Sequence, residues 1–180
     1  MDLVVDCSRR GVNLGLYASG ISCELSEPNA RGSELSLLLD KLLSENNFAL
    51  EQVQRVLVTL GPGSFTGIRA GIAFCKGLCF SGKRTLHGIS TLQALFASYG
   101  KEIILHSRAN FYYVGNEKGE SLLEFDTKPE THENLPITPF AKLIDSIEPS
   151  RIQKANYLAN PFTQTYPPTL GQKHPLSPRL

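Results

Sequence analysis

The chain lacks several features that mark whole classes of protein. Its 180 residues include no tryptophan, one methionine and four cysteines. No apolar run reaches the roughly 18 residues of a membrane-spanning helix, and the amino terminus has no signal-peptide pattern. No two cysteines have CxxC spacing, which favours small buried thiols over zinc ligands or disulfides. With 41% hydrophobic residues, the composition predicts a soluble, cytoplasmic protein with an ordinary core.

Metal and acid–base motifs are also missing. The four histidines have neither HxxxH nor HExxH spacing; they are His87, His106, His132 and His174. Asp6, at the end of a predicted strand, is the best single carboxylate candidate. Such a carboxylate binds metal or positions water, or it closes the following turn. The sequence therefore assigns no catalytic residue and no metal ligand.

A glycine-rich stretch is the most informative segment that is present. The apolar run Val56–Leu60 predicts a buried strand, and the next nine residues predict a turn and the start of a helix: Gly61, Pro62, Gly63, Ser64, Phe65, Thr66, Gly67, Ile68 and Arg69. Free backbone N–H groups at such a helix start attract anions, and they also provide a rigid contact surface for another protein.

The known nucleotide and nucleophile motifs do not fit this stretch. A P-loop needs lysine where Ile68 stands, and the dinucleotide fingerprint needs glycine at Thr66. The GxSxG elbow fails around Ser64, which is better explained as a turn or cap hydroxyl than as a nucleophile. The loop therefore predicts no Walker-type or Rossmann-type site.

Charge is unevenly distributed although the net charge is only +1. No Asp or Glu lies between Gln52 and Lys101. Six basic residues lie within that segment or at its end: Arg55, Arg69, Lys76, Lys83, Arg84 and Lys101. Residues 102–148 are acidic in balance. Two explanations stay open: ordinary solvated faces, or a basic surface near the glycine loop that meets a phosphate, RNA or an acidic partner.

Hydrophobic periodicity predicts a mixed α/β sheet flanked by helices. The predicted strands are 3–8, 12–17, 20–25, 56–60, 85–89, 103–105, 111–114 and 122–125. The predicted helices are 33–43 with Ser33 as N-cap, 69–80, 90–98 with Ser90 or Thr91 at its start, and 140–147. Nine of the eleven prolines follow residue 126. We expect a first lobe over 1–100, a reduced second lobe over 101–165, and an extended or disordered tail over 166–180.

Three segments together resemble the bacterial TsaB (YeaZ) family of the glycoprotease-like (Gcp-like) group. They are residues 61–71, Lys76-Gly77-Leu78 and Gly88-Ile89-Ser90-Thr91-Leu92. The resemblance extends over about residues 1–115 and includes Asp6-Cys7-Ser8. It implies the fold of the actin-like, Hsp70-like and sugar-kinase-like (ASKHA, ribonuclease H-like) proteins.

The resemblance also implies a function. Family members help to form N6-threonylcarbamoyladenosine at position 37 of tRNAs that read codons beginning with A. The chain is then a non-catalytic subunit that supports the catalytic subunit TsaD, with a TsaE-type ATPase in a larger complex. A homodimer is possible, tRNA contact is indirect, and there is no cofactor except ATP or ADP at a shared interface. The segments at His106 and Phe111 lack acids usual in the family, so a nucleotide role resting on them is not expected.

The same resemblance implies a partner interface on the helices at 33–43 and 69–80. Its residues would be Leu35, Leu38, Leu39, Leu42, Ala70, Gly71, Ala73, Phe74 and Gly77. Small side chains allow a second helix to approach closely. Ordinary core packing is the alternative for both helices.

Two other functions stay open. One is a glycoprotease-like hydrolase or weak nucleotide hydrolase that uses Ser64, Asp6 or His106. The other is a structural module that self-associates through the same two helices.

Overall fold

The computed structural model describes residues 1–132 and 150–151. The strands in these residues are β1 Asp2–Asp6, β2 Val12–Ala18, β3 Ile21–Glu27, β4 Arg55–Thr59, β5 Thr85–Ile89, β6 Ile103–Arg108, β7 Phe111–Asn116, β8 Gly119–Glu124 and β9 Ser150–Arg151. The larger sheet has the order β3-β2-β1-β4-β5-β9, and the smaller one has the order β6-β7-β8. β1, β4 and β5 run parallel, and the other pairs are antiparallel.

The central strands are buried on both faces of the larger sheet. Val56, Leu57 and Val58 of β4 are each buried, which accounts for a continuous apolar run instead of an alternating one. β3 alternates between exposed and partly buried residues, as an edge strand with one covered face does. The burial pattern therefore places β1 and β4 at the centre of the fold.

Helices cover the two faces of the larger sheet. α1 (Leu35–Glu45) and α2 (Phe65–Cys79) share one apolar cluster with Leu3 and Val5. α3 (Thr91–Tyr99) shares another with Val4 and Leu57. Successive side chains of a strand point to opposite faces, so α1 and α2 lie on one side and α3 on the other. No helix in the described part of the chain is both long and apolar enough to cross a bilayer.

The smaller sheet packs beyond α3. Ile103 and Leu105 of β6 join the α3 cluster, whereas Ile104 belongs to a separate apolar cluster on the opposite face. The segment after β8 returns to β6, because the backbone N–H of His132 donates to Ile104 O at 2.8 Å and Ile104 N–H donates to His132 Nδ1 at 3.0 Å. α3 is thus enclosed between the two sheets.

The mixed sheet with flanking helices is confirmed, and two helix starts differ from the prediction. α2 begins at Phe65, four residues before the predicted start at residue 69. Ser33 does not cap α1: it lies in a short 3₁₀ helix, Gly32–Glu34, and Glu34 is the N-cap residue of α1. The Glu34 carboxylate accepts from Arg31 N–H at 2.8 Å, which fixes this turn.

The lobe boundaries stay predictions. β9 pairs with β5 at the edge of the larger sheet, so residues 150–151 join the sheet of the amino-terminal part. The helix predicted at 140–147 and the tail predicted at 166–180 lie outside the described residues.

Candidate functional site

The glycine loop, residues 61–67, is held against the end of β1. Ser64 N–H donates to Ser8 O. A Cβ on Gly63 would lie 1.8 Å from Ser8 O, and one on Gly67 would lie 2.0 Å from Cys7 O. No side chain fits at either position, so the chain's own backbone explains these glycines. The loop positions α2 on β1.

Ser64 is the N-cap of α2. Its Oγ accepts the Gly67 N–H at 3.2 Å, which satisfies one of the free donors at the helix start. Ile68 N–H donates to Ser64 O at 2.9 Å and begins the helical hydrogen bonding. The predicted cap role of Ser64 is confirmed, and the cap explains why α2 starts early.

Asp6 closes the turn that follows β1. The carboxylate is fully buried, and Oδ1 accepts from Ser8 N–H at 2.9 Å, from Ser8 Oγ at 2.6 Å and from Thr59 Oγ1 at 2.8 Å. Oδ2 accepts from Asn13 Nδ2 at 3.3 Å and lies 3.8 Å from Arg9 Nη2. Burial lowers the pKa of the Arg9 guanidinium, and the Asp6 charge opposes that shift. Of the two roles open to Asp6, the structure shows the turn-closing one.

His106 belongs to the smaller sheet and has contacts of its own there. It lies on β6, where its ring packs edge-on against Tyr112 at 5.2 Å between centroids and its Nε2 is 3.2 Å from Ala109 O. β6 packs on the α3 side of the larger sheet, whereas Ser64 begins α2 on the other side. The structure therefore does not bring Ser64, Asp6 and His106 together. Among residues 1–132, no three His, Cys, Asp or Glu side chains form a possible metal site.

Burial divides the predicted interface residues into two groups. The first group faces the interior: the four α1 leucines predicted for the interface are between 1% and 7% exposed, at Leu35, Leu38, Leu39 and Leu42. These leucines pack on the larger sheet, so a partner would reach them only by opening the core, and the expected leucine contact face is corrected to core packing. Gly71 is buried, and a Cβ added there would lie 3.6 Å from side-chain atoms of Cys7 and Val58. Ala70 packs against Gly32, and Phe74 against the same core cluster.

The second group is exposed and follows one side of α2. Ala73 and Gly77 lie on this side, and a Cβ on Gly77 would meet no atom within 4 Å. Phe65 is 48% exposed, Arg69 is exposed, and Phe80 just after the helix is 92% exposed. Their spacing of four, four, four and three residues places them on one stripe. We call these five residues the α2 face.

Sequence reasoning missed Phe80 as a surface residue. The apolar pattern does not separate a core aromatic from an exposed one. Continuing the stripe from Ala73 and Gly77 by one further turn would have identified it. Leu37 on α1, which is 67% exposed, was missed for the same reason.

Part of the predicted basic surface is used within the chain. Arg55 donates to both carboxylate oxygens of Asp2, with Nε at 3.0 Å from Oδ1. Arg84 donates to Leu50 O at 2.8 Å and to Leu78 O at 3.2 Å. Arg69 and Lys83 are the exposed cations of this segment that remain near α2.

Comparison with known proteins gives the family. Residues 29–113 match the family model described as TsaD, tRNA N6-adenosine threonylcarbamoyltransferase. The tRNA threonylcarbamoyladenosine biosynthesis protein TsaB of Buchnera aphidicola subsp. Schizaphis graminum is 31% identical over 144 residues, which are 69% of this chain and 69% of that protein. This chain belongs to the TsaB family. The TsaB protein of Haemophilus influenzae is 30% identical over 95 residues, which are 52% of this chain and only 40% of that protein.

The fold agrees with the family. The structure of YeaZ from Pseudomonas aeruginosa superposes with a TM-score of 0.61 at 22% identity, over 74% of this chain and 71% of that one. The stretch that matches the TsaD model contains α1, the glycine loop and α2. The TsaD model thus matches the part of this chain that carries the α2 face.

Proposed function

We propose that this chain is the non-catalytic subunit of the complex that forms N6-threonylcarbamoyladenosine at position 37 of tRNAs reading codons that begin with A. In that role it binds and supports a TsaD-type catalytic subunit in the cytoplasm. One observation carries the proposal: the α2 face is exposed, while the candidate catalytic side chains Asp6 and Ser64 are engaged within the chain.

The chemistry of the α2 face supports protein binding. The face exposes a large apolar side chain at each end, Phe65 at 48% and Phe80 at 92%. Aromatic residues, phenylalanine included, and arginine are enriched at protein interfaces, and both types are present in Phe65 and Arg69. Ala73 and Gly77 between the aromatic ends allow a helix to approach closely.

The remaining parts of the proposal follow from the family resemblance. The catalytic groups and any ATP or ADP belong to the TsaD-type subunit or to an interface shared with it. A TsaE-type ATPase joins the larger complex, and tRNA is contacted through the partner. A homodimer through the same face would compete with the complex.

A leucine at Gly77 tests the interface without disturbing the core. Open space surrounds that position in the monomer, so Gly77→Leu folds normally but obstructs a helix packed on the α2 face. The matched control is Gln93→Leu at an exposed position of α3, on the opposite side of the larger sheet. We expect wild type to bind its organism's TsaD homologue at micromolar concentration, Gly77→Leu to weaken binding by about tenfold or more, and Gln93→Leu to change it less than about twofold.

A cellular measurement tests the same proposal. Depletion of this chain lowers threonylcarbamoyladenosine in bulk tRNA, and re-expressing wild type or Gln93→Leu restores it. Separate elution of wild type and the TsaD homologue, together with normal tRNA modification after depletion, would contradict the proposed function.

A further inference from the structure

Arg69 is the charged member of the α2 face. Its guanidinium carbon lies 5.2 Å from the centroid of the Phe65 ring, one helical turn earlier. Stacking on an aromatic ring holds a guanidinium in place while its N–H donors stay available. Within residues 1–132, the guanidinium of Arg69 makes no ion pair and no hydrogen bond to the chain. A positioned cation is therefore presented beside an apolar surface.

No acidic group of the same segment competes for this cation. Asp and Glu are absent from residues 53–101, which contain the glycine loop, α2, β5 and α3. The other four residues of the α2 face are uncharged. A partner that places a carboxylate opposite Arg69 gains a bidentate, charge-assisted pair, and a partner without one leaves the guanidinium desolvated and unpaired.

We propose that Arg69 determines which partner the α2 face accepts, by taking a carboxylate on an acidic helix of a different protein. This inference rests on the proposed function, since a TsaD-type subunit is the expected partner. It also disfavours α2-to-α2 pairing of two copies, because that arrangement brings two Arg69 cations together on faces that have no acid. A second copy offers exposed acids only on other elements, such as Asp40 on α1.

Two substitutions and one matched control test the role of Arg69. Arg69→Glu reverses the charge, and Arg69→Lys keeps the charge but removes the planar fork. Lys83→Glu makes the same charge change at an exposed turn after α2, within the same acid-free segment. For the purified chain with its TsaD homologue, we expect Arg69→Glu to raise Kd about 30-fold or more, Arg69→Lys about fivefold, and Lys83→Glu less than about twofold. Circular dichroism and the urea midpoint serve as folding controls, and both should match wild type.

A charge swap identifies the partner carboxylate. Each acidic residue on the contacting helix of the TsaD homologue is changed to lysine, and one such change should restore binding to Arg69→Glu while weakening binding to wild type. Sedimentation equilibrium of wild type and of Arg69→Glu, each without the partner, measures self-association.

The outcomes separate this inference from the function it rests on. Arg69→Glu that binds as tightly as wild type overturns the inference and leaves the proposed function standing. Absence of a wild-type complex overturns both. If Arg69→Glu weakens binding and no lysine change in the partner restores it, Arg69 does not bind a carboxylate of that helix, and the inference is rejected. If wild type forms a homodimer that Arg69→Glu dissociates, the acid belongs to a second copy of this chain, and the inference is rejected as well.

Discussion

A matched pair of glycine substitutions in α2 tests how closely this helix is packed on β1. Gly67 and Gly77 both lie in α2, so replacing either by alanine brings a favourable propensity effect of roughly 0.5–1 kcal/mol. Their surroundings differ. A Cβ at Gly77 has no neighbour within 4 Å, whereas one at Gly67 lies 2.0 Å from Cys7 O.

The size of the effect follows from that contact. Cβ atoms essentially never approach another heavy atom closer than 3.0 Å, so α2 has to move away from β1 by roughly 1 Å. Ile68 and Ile72 are buried in α2 and move with it. Overpacking of this kind costs about 1–3 kcal/mol. The neighbour here is a backbone oxygen, which moves away less easily than the end of a side chain does. We expect Gly67→Ala to lower the free energy of unfolding by about 2 kcal/mol and Gly77→Ala to raise it by about 0.5 kcal/mol.

Urea unfolding followed by circular dichroism measures both variants against wild type. The slope of the transition should stay the same, since neither change alters the surface exposed on unfolding by much. If Gly67→Ala and Gly77→Ala had the same free energy of unfolding, α2 would not be fixed against the Cys7 carbonyl. The account of the glycine loop given above would then be wrong.

Two further predictions concern groups beneath the loop. Asp6→Asn should lower the free energy of unfolding by about 2 kcal/mol, because the three hydrogen bonds to Oδ1 lose their charged acceptor. The control Asp40→Asn, on the surface of α1, should change it by less than about 0.5 kcal/mol. Equal effects of the two substitutions would refute the structural role of Asp6. Burial, and to a lesser degree the Asp6 charge, raises the pKa of the Cys7 thiol from 9.0 to about 12. The unfolded chain loses this proton at lower pH than the folded one, so the free energy of unfolding keeps the whole contribution of the Cys7 thiol below pH 9 and loses it as pH rises towards 12. In urea titrations at several pH values, Cys7→Ala should make the free energy of unfolding fall less steeply over this range. An unchanged pH dependence would contradict the raised pKa of Cys7.

The regular elements follow from local sequence with little ambiguity. The apolar run at Val56–Val58 specifies a buried strand, and Ser90 before Leu92 specifies a helix start, where its Oγ accepts the Leu92 N–H at 3.1 Å. The sequence predicts a later start for α2 because Thr66 and Gly67 are typical of turns. Gly67 lies in the helix, where Ser64 caps its N–H and the carbonyl of Cys7, distant in sequence, leaves no room for a side chain.

The candidate site was harder to predict than the fold. An apolar stripe such as that of α1 shows which residues share a side of the helix, but not whether that side meets the sheet or a partner. On α1 the stripe meets the sheet. On α2 the exposed side carries Arg69 and small residues, with Phe65 and Phe80 near its ends, and no scale of hydrophobicity distinguishes the two phenylalanines from core residues. Similarly, only the fold shows that Asp6 is surrounded by donors from Ser8, Asn13 and Thr59.

The carbonyl oxygens of Cys7 and Ser8 leave no room for a side chain at Gly67 and Gly63. Any relative that stacks a helix this closely on a strand meets the same restriction, whatever reaction it takes part in. Both glycines lie within residues 29–113, the stretch that matches the transferase model. The glycine loop sets a distance between helix and strand. An enzymatic activity assigned from these glycines alone would therefore rest on that distance and not on any reacting group.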